Sequence, residues 1–178
     1  MSIFTYVPRG LCLPLSIREK VLGLEHPDTG QNIFDLAALL RDKGNHTDAE
    51  PLYRRILSIH DNFVKQGTAI SLKFISLVGA CHSNLAFHSY VPAKNWKEAE
   101  YHYYRQALDL FNKVPNPLEA ANVELNLQNL FHLSGKEPDL ARVKELTRIL
   151  EVGGDKRAEK GYMSVSYTHL RAHETVLD

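Results

Sequence analysis

Cys81 and His82 stand side by side, with His88 six positions on, and these three side chains most invite a chemical role. A thiolate and two imidazoles can ligate zinc, but a structural site closes with four such donors and a catalytic one with three plus water. No further Cys or carboxylate constellation accompanies them, so the zinc signal is weak. A nucleophilic Cys81 needs a base or cation to activate it, and nothing in the sequence identifies one. His169 and His173 are four residues apart, a spacing that sets two imidazoles on one helix face, but they lie in a C-terminal tail that has the character of an artefact. The chain has no Gly-rich phosphate loop, no His-Glu-x-x-His and no Gly-x-Ser-x-Gly. The expectation is no catalytic residue, no metal and no cofactor, with the histidines either satisfied or exposed.

Tyr101, Tyr103 and Tyr104 with Arg105 form an aromatic and basic run of the kind that stacks on single strands. On a helix, however, Tyr103 and Ala107 share the face of Ala99, so at least one tyrosine packs inward. Lys+Arg number 21 and Asp+Glu 21, leaving no excess charge to attract phosphate backbones or acidic lipid. A nucleic-acid partner is therefore not expected. No apolar run reaches the roughly 18 residues a membrane helix requires, so no membrane span is expected either. Two cysteines, Cys12 and Cys81, are too few for a secreted disulfide framework, and the N-terminus lacks the basic and apolar segments of a signal peptide. A reducing cytoplasm is therefore the expected setting.

The elements that position these side chains read as helix after helix, with a short strand signal only at Ile3-Phe4-Thr5-Tyr6-Val7. Leu15-Ser16-Ile17 and Leu57-Ser58-Ile59 recur 42 positions apart. A period of this length marks stacked helical pairs, each unable to bury its apolar face without its neighbours. The clearest pair begins with a helix over about Asp28 to Lys43, where Ile33, Leu36, Ala37 and Leu40 make one apolar stripe and Gly44 supplies a left-handed end. The second helix is expected from Thr47, with Glu50 completing a capping box and Ala49, Tyr53 and Ile56 facing the first helix. In the next pair Ala86 to Ala99 spans 13 positions where Ala37 to Ala49 spans 12, so one residue is inserted, and Pro92 ends the helix near Tyr90. Asn116-Pro117-Leu118-Glu119 opens another helix with a cap, a first-turn proline and an acid. A final helix runs from Pro138 to about Glu151, with Leu140, Val143, Leu146 and Ile149 or Leu150 as its apolar positions.

At Asp35-Leu36-Ala37-Ala38-Leu39-Leu40, Gly44, Asp48-Ala49-Glu50-Pro51-Leu52-Tyr53-Arg54-Arg55 and the linker Ile17-Arg18-Glu19-Lys20-Val21-Leu22-Gly23, the chain resembles the tetratricopeptide repeat family, in its longer, kinesin-light-chain-like form. The resemblance is strong over residues 13–66 and weaker over 67–152. It implies an all-α, right-handed α-solenoid of antiparallel helix pairs over residues 13–152. Residues 1–12 are then irregular or non-native, and 153–164 form a polar exit. Val165-Ser166-Tyr167-Thr168-His169-Leu170-Arg171-Ala172-His173-Glu174-Thr175 resembles a translated sequencing adapter, so 165–178 are expected to be an artefact tail.

In this family the first helix of each pair lines the concave surface. The resemblance therefore implies a peptide-binding wall of Gln31, Phe34, Ala38 and Arg41, then Ser83, Phe87 and Tyr90, then Asn122, Leu125, Asn129 and His132. Amides and aromatic anchors of this kind suit an extended peptide or a partner helix. Phe34, Phe87 and Leu125 have the alternative of packing between helices, Arg41 and His132 are expected to be exposed, and Trp96 is expected to pack across its turn. Phe34 and Ala38 stand where carboxylate-clamp members carry Lys and Asn, so that activity is not implied. The functional expectation is a non-catalytic interaction scaffold for a protein or peptide. The alternatives are a ligand-sensing arm of a larger signalling ATPase or protease, or a metal enzyme at Cys81, His82 and His88.

Overall fold

The computed structural model describes residues 17–23, 25–114 and 116–154, with the side chains of Tyr104 and Arg105 not described. The 1–12 segment with its strand signal, residues 155–164 and the adapter-like tail lie outside the described residues. The described chain is helical, with no strand. Two units divide it, Met1–Pro115 and Asn116–Asp178.

In the first unit a short helix α1 over residues 17–22 precedes α2 (Pro27–Asp42) and α3 (His46–Lys65). Helix α2 starts where Pro27 needs no amide partner and His26 Nδ1 accepts from the Asp28 N–H at 3.1 Å. Its buried face contains Ile33, Leu36, Ala37 and Leu40, the stripe read from the periodicity. Helix α3 buries Ala49, Tyr53, Ile56 and Ile59, and small Ala49 lets the two backbones approach. Its expected Thr47–Glu50 capping box is absent. Asn45 is the cap instead, its Oδ1 accepting from the Asp48 N–H at 3.3 Å, and Glu50 turns away to accept from Arg54. Asn caps better than Thr, and here it directly follows Gly44, whose φ of +77° reverses the chain.

Helix α4 (Leu72–Leu85) is capped by Ser71 and runs directly into a π-helical turn, Ala86–Tyr90. The Val91 N–H reaches the Ala86 carbonyl at 2.9 Å, an i to i+5 bond. A π-turn holds more residues than an α-turn, and so the inserted residue is absorbed within the helix. The connection after it keeps its ordinary form, with Asn95 capping α5 (Trp96–Glu100) as Asn45 caps α3. A second π-helical stretch, Tyr101–Leu108, leads into α6 (Asp109–Lys113). There the inward series widens from Ala49, Tyr53, Ile56 to Ala99, Tyr103, Ala107, all buried. The core of this unit gathers the α2 and α3 stripes with Phe74, Val78, Cys81, Leu85 and Leu110.

In the second unit α7 (Pro117–Leu133) begins at Asn116, whose side chain accepts from the Glu119 N–H, and α8 (Leu140–Val152) begins at Asp139. Ala121, Leu125, Val143, Leu146 and Leu150 form its core. Arg142 fixes the pair by a fork to Glu124, with two bonds of 2.7 Å each.

Candidate functional site

Gln31, Phe34, Ala38 and Arg41 are all half-buried on α2. Gln31 donates to Asp35 at 2.9 Å, and Phe34 lays its ring edge-on to Tyr53, centroids 5.8 Å apart, against the core. Arg41 is not the exposed residue that was expected. Its guanidinium donates to Asn84 Oδ1 at 2.8 Å and pairs with Asp42, while the Asn84 amide donates to the Ala80 carbonyl. The bond brings α2 and α4 side by side. Ser83 and Phe87 remain half-buried on α4 and its π-turn.

Tyr90 leaves the wall. Its ring stacks on His102 at 4.9 Å, and its hydroxyl accepts from Arg54 at 2.6 Å, so it faces the second helices of both pairs. The extra residue of the π-turn shifts the angular phase of the residues after it, which the α-helical register could not anticipate. Leu125 is likewise corrected, being 6% exposed and packed in the second unit's core. It lies one turn beyond Ala121 and so shares the face that meets Val143 and Leu146. Asn122 and Asn129 are half-buried and His132 is exposed.

The chemistry-bearing cysteine and histidines do not converge. Cys81 is fully buried among Leu and Val side chains, and burial pushes its thiol well above the ordinary value, which disfavours the thiolate. Among the described residues no three His, Cys, Asp or Glu are placed to hold a metal ion. His82 instead meets His102, the two Nδ1 atoms 2.7 Å apart, so one must donate and the other accept. His88 stacks on His46 with centroids 4.7 Å apart. Burial, then the neighbouring His102 and His60, lowers His82 to about 3, and burial, then His46 and Arg41, lowers His88 to about 4. His102 is also lowered, by burial first and Arg54 second.

Beside these rings an open cleft of about 440 Å³ is lined by His46, Thr47, Glu50, Pro51, Arg54, His88 and Ser89. Glu50 and Arg54 pair across it at 2.8 Å. Burial raises Glu50, but hydrogen bonds from Arg54 and Ser89 and the Arg54 charge outweigh it, and its carboxyl sits below the ordinary value. His46, His102 and Arg54 were not singled out from sequence, because ring pairs formed between residues 20 and 42 positions apart leave no local periodicity. In the aromatic run, Tyr103 is buried and Tyr101 is 45% exposed, while Tyr104 and Arg105 fall outside the described side chains.

Among the described residues, capped helices packed together within each unit define an all-α structural class. Within it, residues 35–60 match the tetratricopeptide repeat family, a span that takes in the latter part of α2, the Gly44 turn and most of α3. The chain thus carries a tetratricopeptide repeat, a motif that generally mediates protein–protein interaction. None of the curated proteins compared with the chain matches it. No described helix is long and apolar enough to cross a membrane.

Proposed function

We propose that this chain is a non-catalytic interaction module, built as a right-handed solenoid of antiparallel helix pairs of the longer, kinesin-light-chain-like kind, that holds an extended peptide or a partner helix along its first helices. Antiparallel pairing is supported by two contacts between α3 and the chain at and before α2. Phe34 meets Tyr53, and Glu25, nine residues back, accepts from Asn62, nine residues forward. The single observation that carries the binding reading is the Arg41–Asn84 bond, which sets the polar sides of two successive first helices next to each other. On this reading Gln31, Ala38 and Arg41 of α2, and Ser83 and Phe87 of α4 and its π-turn, all half-buried, supply amide, cationic, hydroxyl and aromatic groups. Such groups can bond a peptide backbone and seat an apolar anchor. Asn122, Asn129 and His132 are the corresponding positions of the second unit. The balanced charge favours a protein or peptide over nucleic acid, and a cytoplasmic setting fits a buried, unpaired Cys81 thiol.

Panning a random peptide library against the full chain provides the probe. Selected peptides are then measured against Ala38→Glu and Ser83→Glu, variants expected to melt like wild type. The expected result is at least a tenfold weaker Kd in both, and unchanged Kd in both folded variants overturns the proposal.

A further inference from the structure

Four imidazoles in the first unit are arranged in two pairs that join separate helices, one stacked face to face and one tilted and meeting nitrogen to nitrogen. His46, on α3, stacks on His88, in the π-turn after α4, at 4.7 Å and 17°. His82, on α4, meets His102, in the second π-helical stretch, nitrogen to nitrogen at 2.7 Å. Tyr90 closes over His102 and ties it through its hydroxyl to Arg54 on α3. The His46–His88 stack and the Arg54–Tyr90 bond cross from α3 to the next helices, and the His82–His102 contact, joined to them through Tyr90, ties those next helices to each other. We propose that this joint is an acid-released latch, held by the two histidine pairs at neutral pH and opened when His82, His88 and His102 take up protons.

The chemistry of each pair supports this. A neutral His82–His102 pair is satisfied, since one Nδ1 carries a proton and the other is bare. A first added proton leaves that bond in place but puts a charge on rings that are 7% and 6% exposed. A second sets two N–H groups against each other at 2.7 Å, and the contact must open. In the other pair, a proton on His88 places a charge on a ring stacked face to face on His46 and near the Arg41 guanidinium. The facing charges are mixed. His60 and Arg54 from α3, and Arg41 from α2, oppose protonation, whereas Glu50 from α3, Glu98 from α5 and Asp42 from α2 favour it. Burial decides the balance, and both His82 and His88 stay neutral far below pH 6.5.

Linkage gives the sign. The unfolded chain protonates His82 and His88 near pH 6.5 and the folded one does not, so their contribution to stability is complete above that pH and is lost as pH falls toward about 4 for His88 and about 3 for His82. At pH 5 each suppressed histidine lowers the folded-to-unfolded ratio by roughly 30-fold, from an unfolded pKa near 6.5. His82 and His88 together give a fall of two to three orders of magnitude.

The test is denaturant unfolding of the full chain, followed by far-UV circular dichroism, at pH 7.5 and pH 5.0, where most carboxylates remain charged. In a Cys12→Ser background, reaction of Cys81 with a pyridyl disulfide reports opening next to His82. The expected result is the stated fall in the folded ratio with a matching rise in Cys81 labelling, both largely removed in His82→Gln/His88→Gln. A wild-type-sized fall in that variant overturns the proposal. Should the variant not fold at pH 7.5, histidine ring resonances of the wild type decide. Rings of His82 and His88 that titrate near 6.5 in a folded chain overturn the latch, and rings that stay neutral until the chain unfolds sustain it.

Discussion

Lys94 adopts φ +54° at the place in its turn where Gly44 has +77°. Both end a helix in the same manner, the N–H of the left-handed residue and of the next residue, Asn, returning to carbonyls of the last turn. A side chain disfavours this region by about 1–2 kcal/mol, part of which glycine gives back in unfolded-state entropy. Lys94→Gly should therefore stabilise the first unit by about 0.5–1 kcal/mol, read as a higher urea midpoint with unchanged slope. The opposite sign is expected at Arg41. From sequence it was expected to be an exposed wall residue, but it bridges to Asn84 while half-buried. Arg41→Ala should cost about 1 kcal/mol, the lower end for a charge-assisted bond because solvent still reaches it. An unchanged melting temperature would show the bridge to be energetically idle. Neither residue was legible in advance, since a turn's φ and a contact 43 residues away leave no mark on local composition.

At the level of elements, the α2–α3 pair was largely readable, since Ile33, Leu36, Ala37, Leu40, Ala49, Tyr53 and Ile56 are all buried as their spacing requires. Ala49→Phe should overpack this interface and cost about 1–3 kcal/mol, seen as a lower melting temperature. A wild-type melt would mean that the pair closes elsewhere. The pair beyond it was readable only in part. The inserted residue was countable, yet nothing in the count distinguished a longer loop from a π-turn, and this difference removed Tyr90 from the wall and placed it over His102. Helix α4 shows a further constraint that composition hides. A Cβ on Gly79 would stand 3.0–3.3 Å from the buried Phe111 ring. In an exposed helix Gly→Ala gains about 1 kcal/mol; here the ring has to give way, and Gly79→Ala is expected to lower stability. A stabilised Gly79→Ala would show that Phe111 has room to move.

For the whole molecule, the two units differ in what they can support alone. The first draws its core from α2 through α6, including the bulky Tyr53, Ile56, Phe74 and Leu85. Among the described residues the second has two helices, and Ala121, Leu125, Val143, Leu146 and Leu150 form one core cluster between them. Apolar burial scales with chain size, and a pair of short helices rarely outweighs the entropy of ordering them. In the proposed repeat array this inequality is expected, since a helical pair in such arrays is generally stabilised by neighbouring pairs. Cutting after Pro115 should thus leave a 1–115 fragment that melts cooperatively, whereas 116–178 alone should show little helix. Far-UV circular dichroism and thermal melts of the two fragments make the comparison. The Arg142–Glu124 fork is partly exposed and contributes at most about 1 kcal/mol, too little to rescue the smaller piece. If 116–178 instead melts cooperatively at the temperature of 1–115, each unit is self-sufficient. The reading of one continuous repeat array, and with it a wall running along successive first helices, then fails.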